Sequence, residues 1–149
     1  KSIKKAMAYN KRKPGRIRGG STISQQVAKN VFLWQGRSWI RKGLEVYFTF
    51  MIELVWGKKR ILEMYLNVIE MGEGIFGVET ASEIYFNKPA KSLTPQEAAM
   101  IAACLPDPKR YTVKPLSGHV SSRSQWVLKQ MGFLQPDPDI QRLIGTLPP

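Results

Sequence analysis

Residues 21 to 30, "STISQQVAKN", follow two glycines and combine hydroxyls, amides and one cation, with no acid among them. Thr22 and Gln25 have the spacing of a capping box, so a helix is predicted to begin at Ser21 or Thr22. A helix amino terminus carries unpaired N–H groups and a partial positive charge, which suits phosphate. Ser21 and Thr22 add hydroxyls there, Gln26 an amide, and Lys29 a full charge one turn on. Gln26, Lys29 and Asn30 share a face distinct from the apolar side of Ile23, Val27 and Val31. Two readings stand side by side: ordinary capping, or a cradle for a diphosphate.

A second polar cluster, "GRSWIRKGLE", puts Arg37, Arg41 and Lys42 just ahead of Glu45, the first carboxylate in the chain. An acid at the edge of a cationic field has its ionised form favoured and can orient a cation or a protonated group. The plainer reading is a helix pair between Arg41 and Glu45, worth about 0.3–0.5 kcal/mol. In "KKRILEMYLN", Glu63, Tyr65 and Asn67 accompany an apolar ridge of Ile61, Leu62 and Leu66. Tyr65 and Asn67 are expected to tie the helix end to the loop that follows. In "SSRSQWVLKQM", Arg123 stands one turn before Val127 and Leu128, where it could pin helices together or reach a phosphate.

Charge is unevenly spread. Residues 1 to 44 hold 12 of the 23 Lys and Arg and no acid, while the remaining 11 basic residues are matched by 11 acids. The net charge of +12 therefore lies wholly before Glu45. Such a concentration fits an anionic partner: nucleic-acid phosphate, acidic lipid headgroups or a phosphorylated substrate. For "KKAMAYNKRKPGRIR" alone, a solvated basic arm is the alternative. The single cysteine excludes an internal disulfide, and Cys104 in "AAMIAACL" reads as a small buried apolar residue. His119 has no second ligand within helical reach, so no protein metal site and no histidine base is expected.

The elements that position these groups read as helices. At 149 residues and 43% hydrophobic, the chain is long enough for one domain with a core, expected to span 1–149. It holds no apolar run of about 18 residues and no leader pattern, so any membrane anchor is expected outside it. Pro14 and Gly15 close an initial helical piece, and the quoted "STISQQ" opens the next helix. A long helix is predicted from about Trp39 to Trp56, with Leu44, Phe48, Met51, Ile52 and Val55 buried and Arg41, Glu45 and Thr49 on its polar side. Further helices are predicted at 58–68, 78–85, after Thr94 and at about 121–131. Glycines 72, 74 and 77 mark a loop. "LTPQEAAMIAACLPDP" carries a capping box at Thr94 and Glu97, Pro95 at the first position and Pro106 as a stop. Residues from Pro136 onward read as a tail. No convincing alternating strand is present, so the class is mainly α.

Taken together, "GGSTISQQVAKN", "RKGLE", "KKRILEMYLN" and "RSQWVLKQM" resemble the second to fifth motifs of the peptidoglycan glycosyltransferases, in the expected order. That family is shared by monofunctional transglycosylases and the first catalytic domain of class A penicillin-binding proteins. The resemblance continues through "GEGIFGVETASEIYFNKPAKSLTPQEAAMIAACLPDP", and the "FLWQGRSWIRKGLE" wording is closest to the monofunctional biosynthetic enzymes of Gram-negative bacteria. It implies a lysozyme-like helical lobe with a small membrane-facing jaw. It implies that the 4-hydroxyl of lipid II attacks the anomeric carbon of a lipid-linked glycan with inversion, releasing undecaprenyl diphosphate. Carried over residue by residue, Ser21, Thr22, Gln26, Lys29, Asn30, Arg37, Arg41 and Lys42 would hold the donor. Glu45 would assist departure of the diphosphate, directly or through a divalent cation such as Mg or Mn. Glu63, Tyr65, Asn67 and Arg123 would be structural motif residues.

The first family motif, a Glu-Asp pair followed by Phe and His, has no counterpart among these 149 residues. It is expected within roughly 20 to 30 residues upstream of Lys1, preceded by one transmembrane helix of about 20 residues that anchors the protein at the periplasmic face of the bacterial inner membrane. That motif holds the family's general base, whose contribution is typically about 10²–10⁴ in rate, so the chain as written is expected to be nearly inactive. Phe32, Leu33, Trp34, Trp39 and Ile40, beside Arg37 and Arg41, are candidates for a jaw surface in the lipid interface; a buried hairpin is the competing account. Other cell-wall synthesis proteins are possible partners under this reading, and nucleic acid is not expected. Three rivals remain: a basic nucleic-acid binder, a hydrolytic muramidase using one glutamate, and a noncatalytic wall-synthesis scaffold.

Overall fold

The computed structural model describes residues 21–145, apart from 35 and 37. The chain divides between Val55 and Trp56 into two compact units.

Among the described residues of the first unit there are two helices. α1 (Ile23–Phe32) starts at Thr22, whose Oγ1 accepts from the Gln25 amide at 3.2 Å while Gln25 Oε1 accepts from the Thr22 amide at 2.9 Å. Two of the terminal N–H donors are thereby satisfied locally, as the spacing predicted. Val27 and Ala28 are fully buried, whereas Ile23 is 45% exposed, so the inner face begins at the second turn. α2 (Trp39–Val55) packs on α1, with Phe32 and Phe48 stacked at 4.9 Å.

The inward face of α2 follows its apolar pattern except at Val55 and Glu45. Leu44, Phe48 and Met51 are half-buried and Ile52 is buried, but Val55 is 69% exposed. The helix has 17 residues against ten in α1, and at about 1.5 Å per residue the shorter helix leaves the far end uncovered. Glu45, expected on the polar side, is 4% exposed instead, and the Thr49 hydroxyl donates to its carbonyl at 2.6 Å. The face turned outward carries Trp39, Val46, Tyr47, Phe50 and Leu54.

The second unit begins with α3 (Lys58–Val68) and a two-stranded antiparallel hairpin, β1 (Glu70–Gly72) and β2 (Ile75–Phe76), pairing Glu70 with Phe76 and Gly72 with Ile75. Glycines 72, 74 and 77 point to a loop here, but strands of three and two residues are too short to show alternation in sequence. Gly77 then holds φ at +82°, and a Cβ there would stand 2.8 Å from the Asn67 carbonyl oxygen. α4 (Val78–Phe86), a 3₁₀ turn (Ala90–Ser92) and α5 (Pro95–Cys104) follow, the last with the predicted Thr94–Glu97 capping box. α5 packs on α6 (Gly118–Leu134), and Met71, Ala81, Tyr85, Ile101, Ala103, Cys104, Val113 and Val120 form the core.

Two boundaries differ from the reading. α6 begins three residues before Ser121 and ends three past Met131, because Ser117 Oγ caps it by accepting from the Val120 amide. The expected tail contains α7 (Pro138–Ile144). Asp137 caps it by accepting from the amides of Asp139 and Ile140, Pro138 sits in its first turn, and Gly145 ends it at φ +79°. A proline at the first helical position loses no hydrogen bond, so it starts this helix and does not break it.

Candidate functional site

Ser38 starts the local structure of the site. Its Oγ accepts from the Arg41 amide at 3.3 Å and its carbonyl from the Lys42 amide at 3.0 Å, which fixes the first turn of α2. Arg41 and Lys42 leave that turn side by side and line, with Ser38 and Trp39, a hollow of about 280 Å³. One turn further on lies Glu45. Lys42 Nζ stands 2.5 Å from Glu45 Oε1, with the lysine half exposed and the carboxylate side chain 5% exposed. The pair observed is thus Lys42–Glu45, not the Arg41–Glu45 pair suggested by spacing. Both are helix neighbours; burial of Glu45 leaves its carboxylate to the flexible ammonium.

Arg41 Nε is buried and has no hydrogen-bond partner among the described residues. A buried donor without an acceptor costs about 1–3 kcal/mol, and more when charged, so this guanidinium edge favours an incoming anion. Among the described residues no group of three His, Cys, Asp or Glu side chains comes together that could hold a metal ion. A lone carboxylate already held by an ammonium does not fit a resident divalent cation.

Other candidates lie elsewhere. Ser21 and Thr22 are exposed at the start of α1, Gln26 is half-buried, and Lys29 and Asn30 are exposed; none of them lines the hollow on α2. Arg37 falls outside the described residues. Phe32, Trp34, Trp39 and Ile40 are exposed, Trp39 at 93%, and Leu33 is half-buried, so these side chains do not form a buried hairpin.

In the second unit, Glu63 pairs with Arg60 at 2.9 Å on the surface of α3. Asn67 Nδ2 donates to the Glu63 carbonyl at 2.9 Å, inside its own helix, and the Tyr65 carbonyl accepts from the Ile69 amide at 3.0 Å beyond the helix end. Tyr65 itself is buried, and burial raises its pKa. The Arg123 guanidinium lies 3.7 Å from the centroid of the Trp126 ring, one turn along the same helix. Ser38 was missed as a lining residue; its place directly before a helix was the available signal.

The family model described as transglycosylase matches residues 1–132. The chain is similar to proteins named biosynthetic peptidoglycan transglycosylase from Escherichia coli strain ATCC 8739, strain O139:H28 and strain K12 / DH10B. Each is 58% identical over 141 residues, covering 95% of this chain. The chain spans 58% of the length of these relatives. With the family model covering most of its length, the chain belongs to the transglycosylase family.

Proposed function

We propose that this chain carries the diphosphate-binding part of an enzyme that polymerises lipid II into linear peptidoglycan strands. The reaction is an inverting glycosyl transfer that releases undecaprenyl diphosphate from the lipid-linked donor. The observation that carries this reading is the first stretch of α2. There a buried carboxylate, an ammonium in contact with it and a guanidinium with an unpartnered Nε lie within five residues.

As the glycosidic bond breaks, negative charge grows on the departing diphosphate. Arg41 and Lys42 supply fixed cations for that charge, and such donors stabilise the transition state most when their positions are set in advance. Ser38 sets them by capping the turn from which both project. Glu45 holds the Lys42 ammonium in position, and steadies the departing group through it. Ser21, Thr22, Gln26, Lys29, Asn30 and Arg37 extend the donor site. The general base comes from the family's first motif.

The outward apolar face of α2, with exposed Trp34 and Ile40, rests at the lipid headgroup boundary, where Trp beside Arg is favoured. Among the described residues no helix is long and apolar enough to cross a membrane. At the periplasmic face of the inner membrane, this surface supplies the chain's own contact with lipid. Trp34→Ser lowers binding to anionic liposomes; undiminished binding counts against this surface.

The test is polymer formation from lipid II by this chain joined to a segment carrying the first motif. Arg41→Gln is expected to lower turnover about 10²–10³-fold, the usual loss for one charge-stabilising donor. Release of sugar from preformed cell wall without polymer would make the protein a muramidase. Salt-sensitive retention of nucleic acid without either reaction would make it a nucleic-acid binder.

A further inference from the structure

A second hollow, of about 300 Å³, lies in the second unit between the β1–β2 turn, α4 and the loop joining α5 to α6. Its size is at the lower end of ligand pockets, about 300–1,000 Å³. None of the residues assigned above to diphosphate chemistry lines it. Gly72 and Tyr85 form one wall. The Tyr85 hydroxyl donates to the Met71 carbonyl at 3.1 Å, and a Cβ on Gly72 would stand 2.0 Å from that hydroxyl oxygen. Only glycine leaves this wall intact. Ile75 and Ile84 add apolar surface, Ile84 being 57% exposed.

The polar lining divides into donors and acceptors. Lys109 and Lys114 are the donors. Lys109 Nζ lies 3.8 Å from Glu70 Oε1, a long contact, and Lys114 pairs with no carboxylate among the described residues, its ammonium lying 5.5 Å from the centroid of the Phe86 ring. Glu73 and Thr112 are the acceptors. Glu73 is in no ion pair among the described residues, and the Thr112 hydroxyl spends its hydrogen on the Pro115 carbonyl at 2.6 Å, which leaves its oxygen lone pairs to accept.

An inorganic anion would use the lysines and be repelled by Glu73. A neutral sugar would leave the Lys114 ammonium, which pairs with no carboxylate among the described residues, without counter-charge. A peptide bearing carboxylates uses all four groups, its carboxylates on the lysines and its N–H groups on Glu73 and Thr112, with its aliphatic parts against Ile75 and Ile84. We propose that this hollow binds a short acidic peptide; resting on the function proposed above, that peptide is the one borne by the lipid-linked precursor.

The probe is N-acetyl-alanyl-glutamate, titrated into the protein by NMR, beside its uncharged diamide and inorganic phosphate. Binding of the dicarboxylate alone is expected, weakened about a hundredfold in Lys109→Gln/Lys114→Gln, the order of two lost charge-assisted hydrogen bonds. Ile84→Trp fills the hollow from its exposed wall and abolishes binding without touching the core. Equal binding of the diamide, equal binding of phosphate, or undiminished binding by the double variant overturns the proposal. The titration requires no glycosyl transfer, so failure of the proposed activity leaves its outcome readable. Conversely, polymerisation at an unchanged KM from a precursor stripped of its peptide overturns the peptide site and leaves the polymerase reading standing.

Discussion

Glu45 is the residue on which local and tertiary chemistry meet. Sequence spacing gave it an ordinary helix partner in Arg41; packing of α2 on α1 buries it and hands its carboxylate to Lys42. Glu45→Gln removes the charge that orients Lys42, so the ammonium is no longer set in advance against the leaving diphosphate. Under the proposed mechanism, kcat for lipid II polymerisation falls about a hundredfold or more while KM changes little, a split read directly from initial rates. A rise in KM with unchanged kcat would make Glu45 a binding group only. Cys104 behaves as a core atom. Its thiol is fully buried, with Sγ contacts to the carbonyls of Met71 and Ile101, and burial pushes its pKa up to about 11. Iodoacetamide at pH 8 should modify it slowly in the native protein and quickly in denaturant, because only the thiolate reacts.

At the scale of elements, the helix starts were legible because a capping box needs only four consecutive residues. Both boxes, Thr22 with Gln25 and Thr94 with Glu97, form as spacing required. Thr22→Ala should cost about 1 kcal/mol of stability in the first unit, measured by urea unfolding, since the Gln25 amide loses its acceptor. The turn into α4 is less forgiving. Gly77 combines a positive φ with a backbone carbonyl 2.8 Å from the position of a Cβ, and its amide donates to the Ile69 carbonyl at 3.0 Å. Gly77→Ala is therefore expected to destabilise by about 1–3 kcal/mol, visible as a lower urea midpoint at constant m. The hairpin before it was not legible, because pairing between Glu70 and Phe76 is fixed by the turn geometry and not by alternation over so few residues. α7 is hidden for a different reason: its prolines look like breakers, although Pro138 occupies the first turn.

For the molecule as a whole, pH tests the buried groups together. Desolvation raises the pKa of Tyr65, Tyr85 and Cys104, and Cys104 adds a coulombic contribution to both tyrosines. The folded state then binds protons more tightly than the unfolded chain. The resulting stability is complete below the unfolded thiol value of 9.0 and is lost as pH rises through the folded value of about 11. In acid the sign reverses. Hydrogen bonding to Lys88, and then to the Thr94 backbone, lowers the pKa of Glu97, so its contribution is present above the ordinary 4.5 and disappears as pH falls through the lowered value. A Tm profile against pH should accordingly fall at both ends, and Cys104→Ala should flatten the alkaline limb. An alkaline limb unmoved by that substitution would remove the thiol from the account.

The sequence by itself determined six of the seven α-helices among the described residues, the capping boxes at Thr22 and Thr94, the mainly α class and the motifs that resemble the family, since each depends on residues a few positions apart. Only the tertiary structure decided that Glu45 is buried and Val55 exposed on α2, that Lys42 and not Arg41 contacts Glu45, and that Arg41 Nε is buried without an acceptor among the described residues. The same holds for the hollow that gathers Lys109, Lys114 and Glu73. The physical reason is one of range: caps and periodicity are written within a turn or two, whereas burial and pairing depend on what the other elements of a unit cover.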